Sequence, residues 1–306
     1  MPDESTNPTG TQESSTERGD ASGWTEQPNT KPSSDGATSE GASQQKNLER
    51  PTAEDIYQQV ALNAKTELKR STVSLAISGF AGGIFMGLSG LGSALVLGLF
   101  GTSPKTHFVA SMFYPIGFIV VIVGRAQLFT ENTLYPVALV LSEKRELWNT
   151  LRLWRTVLPA NVCGALAFAA LAARTAALPP ETRDALVQLG VTAAHVSPSA
   201  IFWSGVTAGW IIATAAWLVS GSHSITGSVM ILWMLTFVVG LGDFAHCIAT
   251  SGEILSAVLV HQLSAISYFH WLWIAVAGNV CGGVLMVTLL EYGQAILAKG
   301  ERSFEG

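Results

Sequence analysis

The chain has 306 residues, 48% hydrophobic and only 13% charged, with a mean hydropathy of +0.36, a balance too apolar for a soluble domain of this length and one that belongs in a bilayer. The net charge of −5 arises in residues 1–50, which carry nine acids and four bases, while residues 51–306 carry thirteen of each. Basic clusters suited to nucleic acid are absent, and Cys163, Cys247 and Cys281, all in apolar stretches, form neither a disulfide framework nor a zinc spacing.

Residues 1–50 are rich in Ser, Thr, Gly, Gln, Asp and Glu and nearly free of aliphatic side chains, so a disordered, acidic, cytosolic tail is expected there. An apolar run after a basic start is missing, which argues against a secretory signal. Between 51 and 70, Ile56, Val60, Ala64 and Leu68 recur at helical spacing, and Thr52 with Asp55 has the spacing of a capping box. This is an amphipathic helix, lying either on the membrane surface or on another cytosolic part of the same assembly.

A transmembrane domain over 71–299 follows, then a short cytosolic tail at 300–306. Apolar spans are expected at 73–98, 107–128, 150–173, 200–219, 225–242 and 271–296, each near the roughly 20 residues that cross ~30 Å of hydrocarbon. Leu134–Leu141 and Ile254–His261 are too short to cross and read as half-helices completing spans two and five. Leu178-Pro179-Pro180-Glu181 could start a short surface helix in the external loop. With the amino terminus inside, nine basic residues fall on the cytoplasmic side and only Lys105, Arg174 and Arg183 outside, which places both termini in the cytoplasm.

Spans two and five break at polar residues, Thr130-Glu131-Asn132-Thr133 and Asp243-Phe244-Ala245-His246. An internal repeat relates them: Asn161-Val162-Cys163-Gly164 returns as Asn279-Val280-Cys281-Gly282, 118 positions on. With three spans in each repeat (71–175 and 200–298), the halves must be inverted. Paired interrupted spans of this kind point to a substrate path near the bilayer midplane. Irregular backbone at that depth must face protein or a water-lined cavity, and the half-helices beginning there would aim N–H groups at a small anion. The fold class is therefore an all-α membrane protein of six transmembrane helices in two inverted three-helix repeats, with helices two and five broken.

His246 is the one histidine deep inside a span, which makes it a candidate proton-exchange group; the alternative is a neutral structural histidine bonded to a backbone carbonyl. Thr130 offers a hydroxyl opposite it, or a helix cap. Phe129, Phe118 and Tyr114 share a face of span two, as a gate or as ordinary packing. Arg125, one turn before the break, is expected to pair with Glu131 or Asp243, as a structural ion pair or as an anion contact. The two Asn-x-x-Gly elements read as close helix packing.

At these same residues the chain resembles the formate–nitrite transporter family. Leu128-Phe129-Thr130 is similar to that family's Leu-Phe-Thr at the break of span two. Phe244-Ala245-His246-Cys247-Ile248-Ala249-Thr250 is similar to its Phe-Glu-His-Ser-Ile-Ala-Asn in span five, and the likeness covers about 55–298. The stretch Arg125 to Thr133 resembles a less characterised bacterial branch. The resemblance implies an aquaporin-like protomer in a homopentamer, each protomer with a pore for formate, nitrite, hydrosulfide or a similar monovalent anion, in the inner membrane and without a cofactor. It also implies that His246 is the central pore histidine, Thr130 its hydroxyl partner, and Phe129, Phe118 and Tyr114 the hydrophobic constrictions. Phe244 belongs to the same motif. The sequence departs from the family at Ala245, Thr250, Gly209, Val239 and Arg125, where an acid, an asparagine, a pore-side asparagine, a phenylalanine and a small residue are usual.

The function expected is passage of a small weak-acid anion that crosses the apolar slit as its neutral acid, having taken a proton from His246 or nearby water. The rivals are a non-conducting membrane scaffold or sensor using the tail, and a neutral-solute channel, which would carry paired Asn-Pro-Ala boxes that are absent here. An enzyme is least supported, since no nucleophile or metal cluster stands beside these residues.

Overall fold

The computed structural model describes residues 51–134, 147–288 and Gly293. Helix α1, Ala53–Lys69, opens on the expected capping box: Asp55 N–H donates to Thr52 Oγ1 at 3.2 Å and Thr52 N–H to the Asp55 carboxylate at 2.9 Å. Its apolar stripe, Val60, Ala64 and Leu68, is buried on protein rather than spread on a surface. Gln127 Nε2 ties α1 to the first break through Glu67 at 2.7 Å, and Arg152 Nη2 donates to the Leu68 carbonyl at 2.6 Å.

Helix α2, Thr72–Phe100, begins the bundle, followed by α3, Pro104–Ser111, and α4, Pro115–Val123. After a 3₁₀ turn at Glu131–Thr133 and the residues outside the description come α5, Leu147–Arg174, and α6, Pro180–Ala194, with Pro180 at its first position as the Pro-Pro-Glu run suggests. The second half comprises α7, Pro198–Ser220; α8, Ile225–Leu241; α9, Ala249–Leu259; and α10, Ala265–Cys281, which widens into π-helical geometry over Gly282–Thr288. Five stretches are long and apolar enough to cross a membrane: α2, α3 with α4, α5, α7, and α10 with its extension. The remaining apolar helices, α8 and α9, are too short individually. All but Leu134 of the half-helix expected at Leu134–Leu141, together with the tail and residues 300–306, lie outside the described residues.

Span two departs from expectation. It is interrupted twice, first at Met112–Tyr114 ahead of Pro115 and again from Gly124 onward, so the second break starts earlier than Thr130. The cause of the first is Pro115, which has no N–H to continue the helix and restricts the residue before it. Span six begins at Ala265, capped by Ser264, six residues before the expected start.

Small residues set the packing. Gly83 of α2 lies on the Asn161 carbonyl of α5, and Gly209 of α7 lies on the Asn279 carbonyl of α10, each so close that a Cβ could not be accommodated. Gly209 is thus a helix-packing residue. The α7–α10 crossing leaves no room for a side chain at this position. Gly209→Ala should lower stability by roughly 1–3 kcal/mol through overpacking, read as a drop in thermal unfolding midpoint in detergent.

Candidate pore site

Both breaks are built the same way. Helix α4 ends at Gly124 and the chain turns through Arg125 at φ +59°; α8 ends at Gly242 and turns through Asp243 at φ +49°. In each, the next N–H reaches back five residues: Ala126 to the Val121 carbonyl at 2.9 Å and Phe244 to the Val239 carbonyl at 3.0 Å. These are C-terminal caps of the Schellman type, which normally want glycine in the left-handed position. The left-handed φ of Arg125 makes the position a turn before it is a charge.

Beyond each turn the extended backbone is held by an asparagine from a neighbouring helix. Asn161 Oδ1 accepts from Phe129 N–H at 2.8 Å, while its Nδ2 donates to the carbonyls of Gly79 at 2.6 Å and Gln127 at 2.9 Å. Asn279 repeats all three bonds, with Cys247 N–H at 2.9 Å and the carbonyls of Gly205 at 2.9 Å and Ala245 at 2.8 Å. Ser78 and Ser204 match too, accepting from Gln127 N–H and Ala245 N–H. The Asn-x-x-Gly elements therefore do more than pack; they satisfy the polar backbone that each break exposes.

The two breaks meet at Thr130 and His246. Thr130 Oγ1 lies 2.8 Å from His246 Nε2, and both side chains are fully buried, at 1% and 0% exposure. His246 Nδ1 accepts from Ala249 N–H at 3.1 Å and Ile248 N–H at 3.4 Å, so the ring caps the start of α9. With Nδ1 engaged as an acceptor, the ring proton of the neutral histidine sits on Nε2 and is donated to Thr130. This revises one expectation. The N–H groups of α9 nearest the break are occupied by the histidine instead of being offered to an anion.

Aromatic rings close the space around the pair. Phe118 stands edge-on to the His246 ring at 4.9 Å between centroids, Tyr114 follows at 5.6 Å from Phe118, and Phe129 contacts Trp154 at 5.8 Å. Above the pair opens a cavity of about 750 Å³ lined by Tyr114, Val239, Phe244, Ala245, Asp243 and Thr250, among others. Below lies a small polar recess of about 80 Å³ bordered by Glu67, Arg125, Gln127, Glu131 and Asn132. Neither cavity is lined by His246, Thr130, Phe118 or Phe129. The pair is brought together as expected, and both side chains are buried.

The expected ion pair is corrected. Among the described residues Arg125 is exposed and takes part in no ion pair; Asp243, also exposed, lies 3.7 Å from His107 Nε2 in the large cavity. Arg125 and Asp243 occupy equivalent turns on different cavities, so the geometry of the repeat separates them.

Residues 54–293 match the model of the formate/nitrite transporter family. The chain belongs to that family. Inner membrane protein YfdC of Escherichia coli (strain K12) is 32% identical over 244 residues, covering 78% of this chain and 77% of that one. A probable formate transporter of Methanothermobacter thermautotrophicus is 23% identical over 255 residues, covering 76% and 93%. Among solved structures, an FNT family ion channel superimposes with a TM-score of 0.71 at 17% identity over 78% of this chain and 98% of that one. A pentameric formate channel with formate bound gives 0.62 at 18% over 72% and 96%; at these identities the likeness is one of fold. The family and its structural neighbours are transporters and channels, and this member is a membrane transport protein rather than an enzyme.

Sequence reasoning passed over Glu253. It is 7% exposed and lines the large cavity together with Thr250, three residues before it on the same helix. An acid inside a short apolar half-helix was the available signal. For the breaks themselves, Asn279→Leu should leave one buried N–H and two carbonyls without partners, costing roughly 3 kcal/mol or more; hydrogen exchange at the Cys247 amide should accelerate before any change at α2.

Proposed function

We propose that this protein passes a small monovalent weak-acid anion of the formate or nitrite kind across the inner membrane. In this reading six spans form two inverted repeats, both termini are cytoplasmic, and five protomers assemble with one pore each. The fold shared with a pentameric formate channel and the family membership support it. The observation that carries it is the 2.8 Å contact between Thr130 and His246 at the meeting point of two matched breaks.

An anion entering the slit between Tyr114, Phe118 and the pair would give up water for apolar rings, at a cost of several kcal/mol or more for a bare charge. Protonation removes that cost, and the neutral acid can then cross. The Thr130 hydroxyl, polarised by the Nε2–H of His246, is placed to donate a hydrogen bond to the permeant while it sheds water. The proton itself is better supplied from the vestibule than from the ring: a second proton on His246 would sit on Nδ1, facing the two N–H groups of α9. His246 acts in this account as a hydrogen-bond relay in proton exchange.

Proteoliposome uptake of formate should therefore rise as external pH falls. Thr130→Val should cut uptake about tenfold, equivalent to ~1.4 kcal/mol, and His246→Asn should lower it and change its dependence on pH. Wild-type flux and pH profile in both variants would exclude the relay. Deleting residues 1–50 should leave uptake largely intact, in contrast to the behaviour of a scaffold that recruits partners through its tail.

A further inference from the structure

The large cavity contains a carboxyl group that the transport scheme has not used. Glu253 lies one turn into the buried helix α9 beyond Thr250, and every α9 residue from Ala249 to Ala257 is buried. Its side chain fits against α2 at Gly90, where an added Cβ would stand 2.9 Å from Glu253 Cγ and 3.0 Å from Oε1. Gly190 of α6 lies closer still to the Glu253 backbone, leaving no room for a Cβ. Two glycines from two other helices thus make the space in which this side chain sits. Among the described residues, no cation, N–H or hydroxyl bonds to its carboxyl group.

The groups that share the cavity with it can be named by element. Helix α3 contributes His107, the turn after α8 contributes Asp243, and Tyr114 lies just before α4; α2, α6 and α10 present Ser93, Gln188 and Trp271, none of which titrates. His107 is engaged with Asp243 and the Leu241 carbonyl. An ionised Glu253 would therefore be a buried, uncompensated charge, and it would repel an anion entering the same space.

We infer that Glu253 is the proton donor of the vestibule: its carboxyl carries a proton at rest and gives it to the incoming weak-acid anion before the constriction. In this step the Glu253 O–H bond breaks and an O–H bond forms on the permeant oxygen. The carboxylate left behind is reprotonated by a hydronium ion arriving from bulk solution through the cavity, and the neutral acid continues past Thr130 and His246. The inference rests on the transport reading above, deepening it by naming the source of the proton.

Infrared difference spectra and formate uptake on the reconstituted full chain test it together. The wild type should show a protonated-carboxyl band near neutral pH that is absent from Glu253→Gln. Uptake by Glu253→Gln should fall about tenfold or more at external pH near 7.5, within the range typical of a lost general acid, and recover towards wild type near pH 5.5, where water supplies more neutral acid. Glu253→Asp should restore the wild-type profile. An unchanged profile in Glu253→Gln overturns the inference, as does an equal loss at every pH or a failure of Glu253→Asp to restore it, either of which marks a packing role. Should the wild type move no formate, the transport reading fails, while the band still decides whether Glu253 holds the proton; its absence overturns the inference in either case.

Discussion

Backbone that leaves a helix at membrane depth has N–H and C=O groups that lipid cannot satisfy. The architecture around the candidate pore depends on two asparagines that meet this demand. Asn161 and Asn279 each make three bonds to extended chain and to the facing helix, in the same pattern and 118 positions apart. Gly83 and Gly209 complete the arrangement by letting α2 and α7 lie directly on the asparagine backbones. Removing the side chain at either glycine position is what brings the carbonyls of Gly79 and Gly205 within reach of the amides.

Once both chains are held in this way, their ends have nowhere to go but towards each other. The repeat supplies equal scaffolds and unequal tips. By the spacing of the asparagines, His246 corresponds to Leu128 and Thr130 to Ile248, so the imidazole and the hydroxyl arise at positions that are apolar in the opposite half. A symmetric frame thereby presents a single asymmetric hydrogen bond, with the donor on one break and the acceptor on the other. The ring is fixed from behind by α9, which leaves Nε2 as its active face.

Much of this was legible in the sequence. The interrupted spans, the repeat and the pairing of Thr130 with His246 all follow from polar residues standing where lipid forbids them, because that constraint acts on composition alone. The capping box of α1 and the start of α6 at Pro180 were readable for the same local reason. What the sequence did not yield were contacts decided by three-dimensional closeness. Gly209 stands where the resemblance implies a pore-side asparagine, and its close packing on the Asn279 backbone shows only in three dimensions. Arg125 was read as a charge seeking a partner, while its backbone turn, common to Asp243, governs the position. Glu253 stands in the sequence as an acid inside an apolar half-helix, but that its carboxyl has no bonding partner among the described residues shows only in three dimensions.

The claim on which the rest stands is that His246 faces Thr130 with a protonated Nε2 while Nδ1 accepts from α9. Nitrogen NMR of the chain labelled at histidine, with His246 assigned by comparison with His246→Asn, reads this directly. The account predicts a neutral ring with its proton on Nε2, and a shift of that signal in Thr130→Val. A neutral ring protonated on Nδ1, or a signal indifferent to the loss of the threonine hydroxyl, would contradict it.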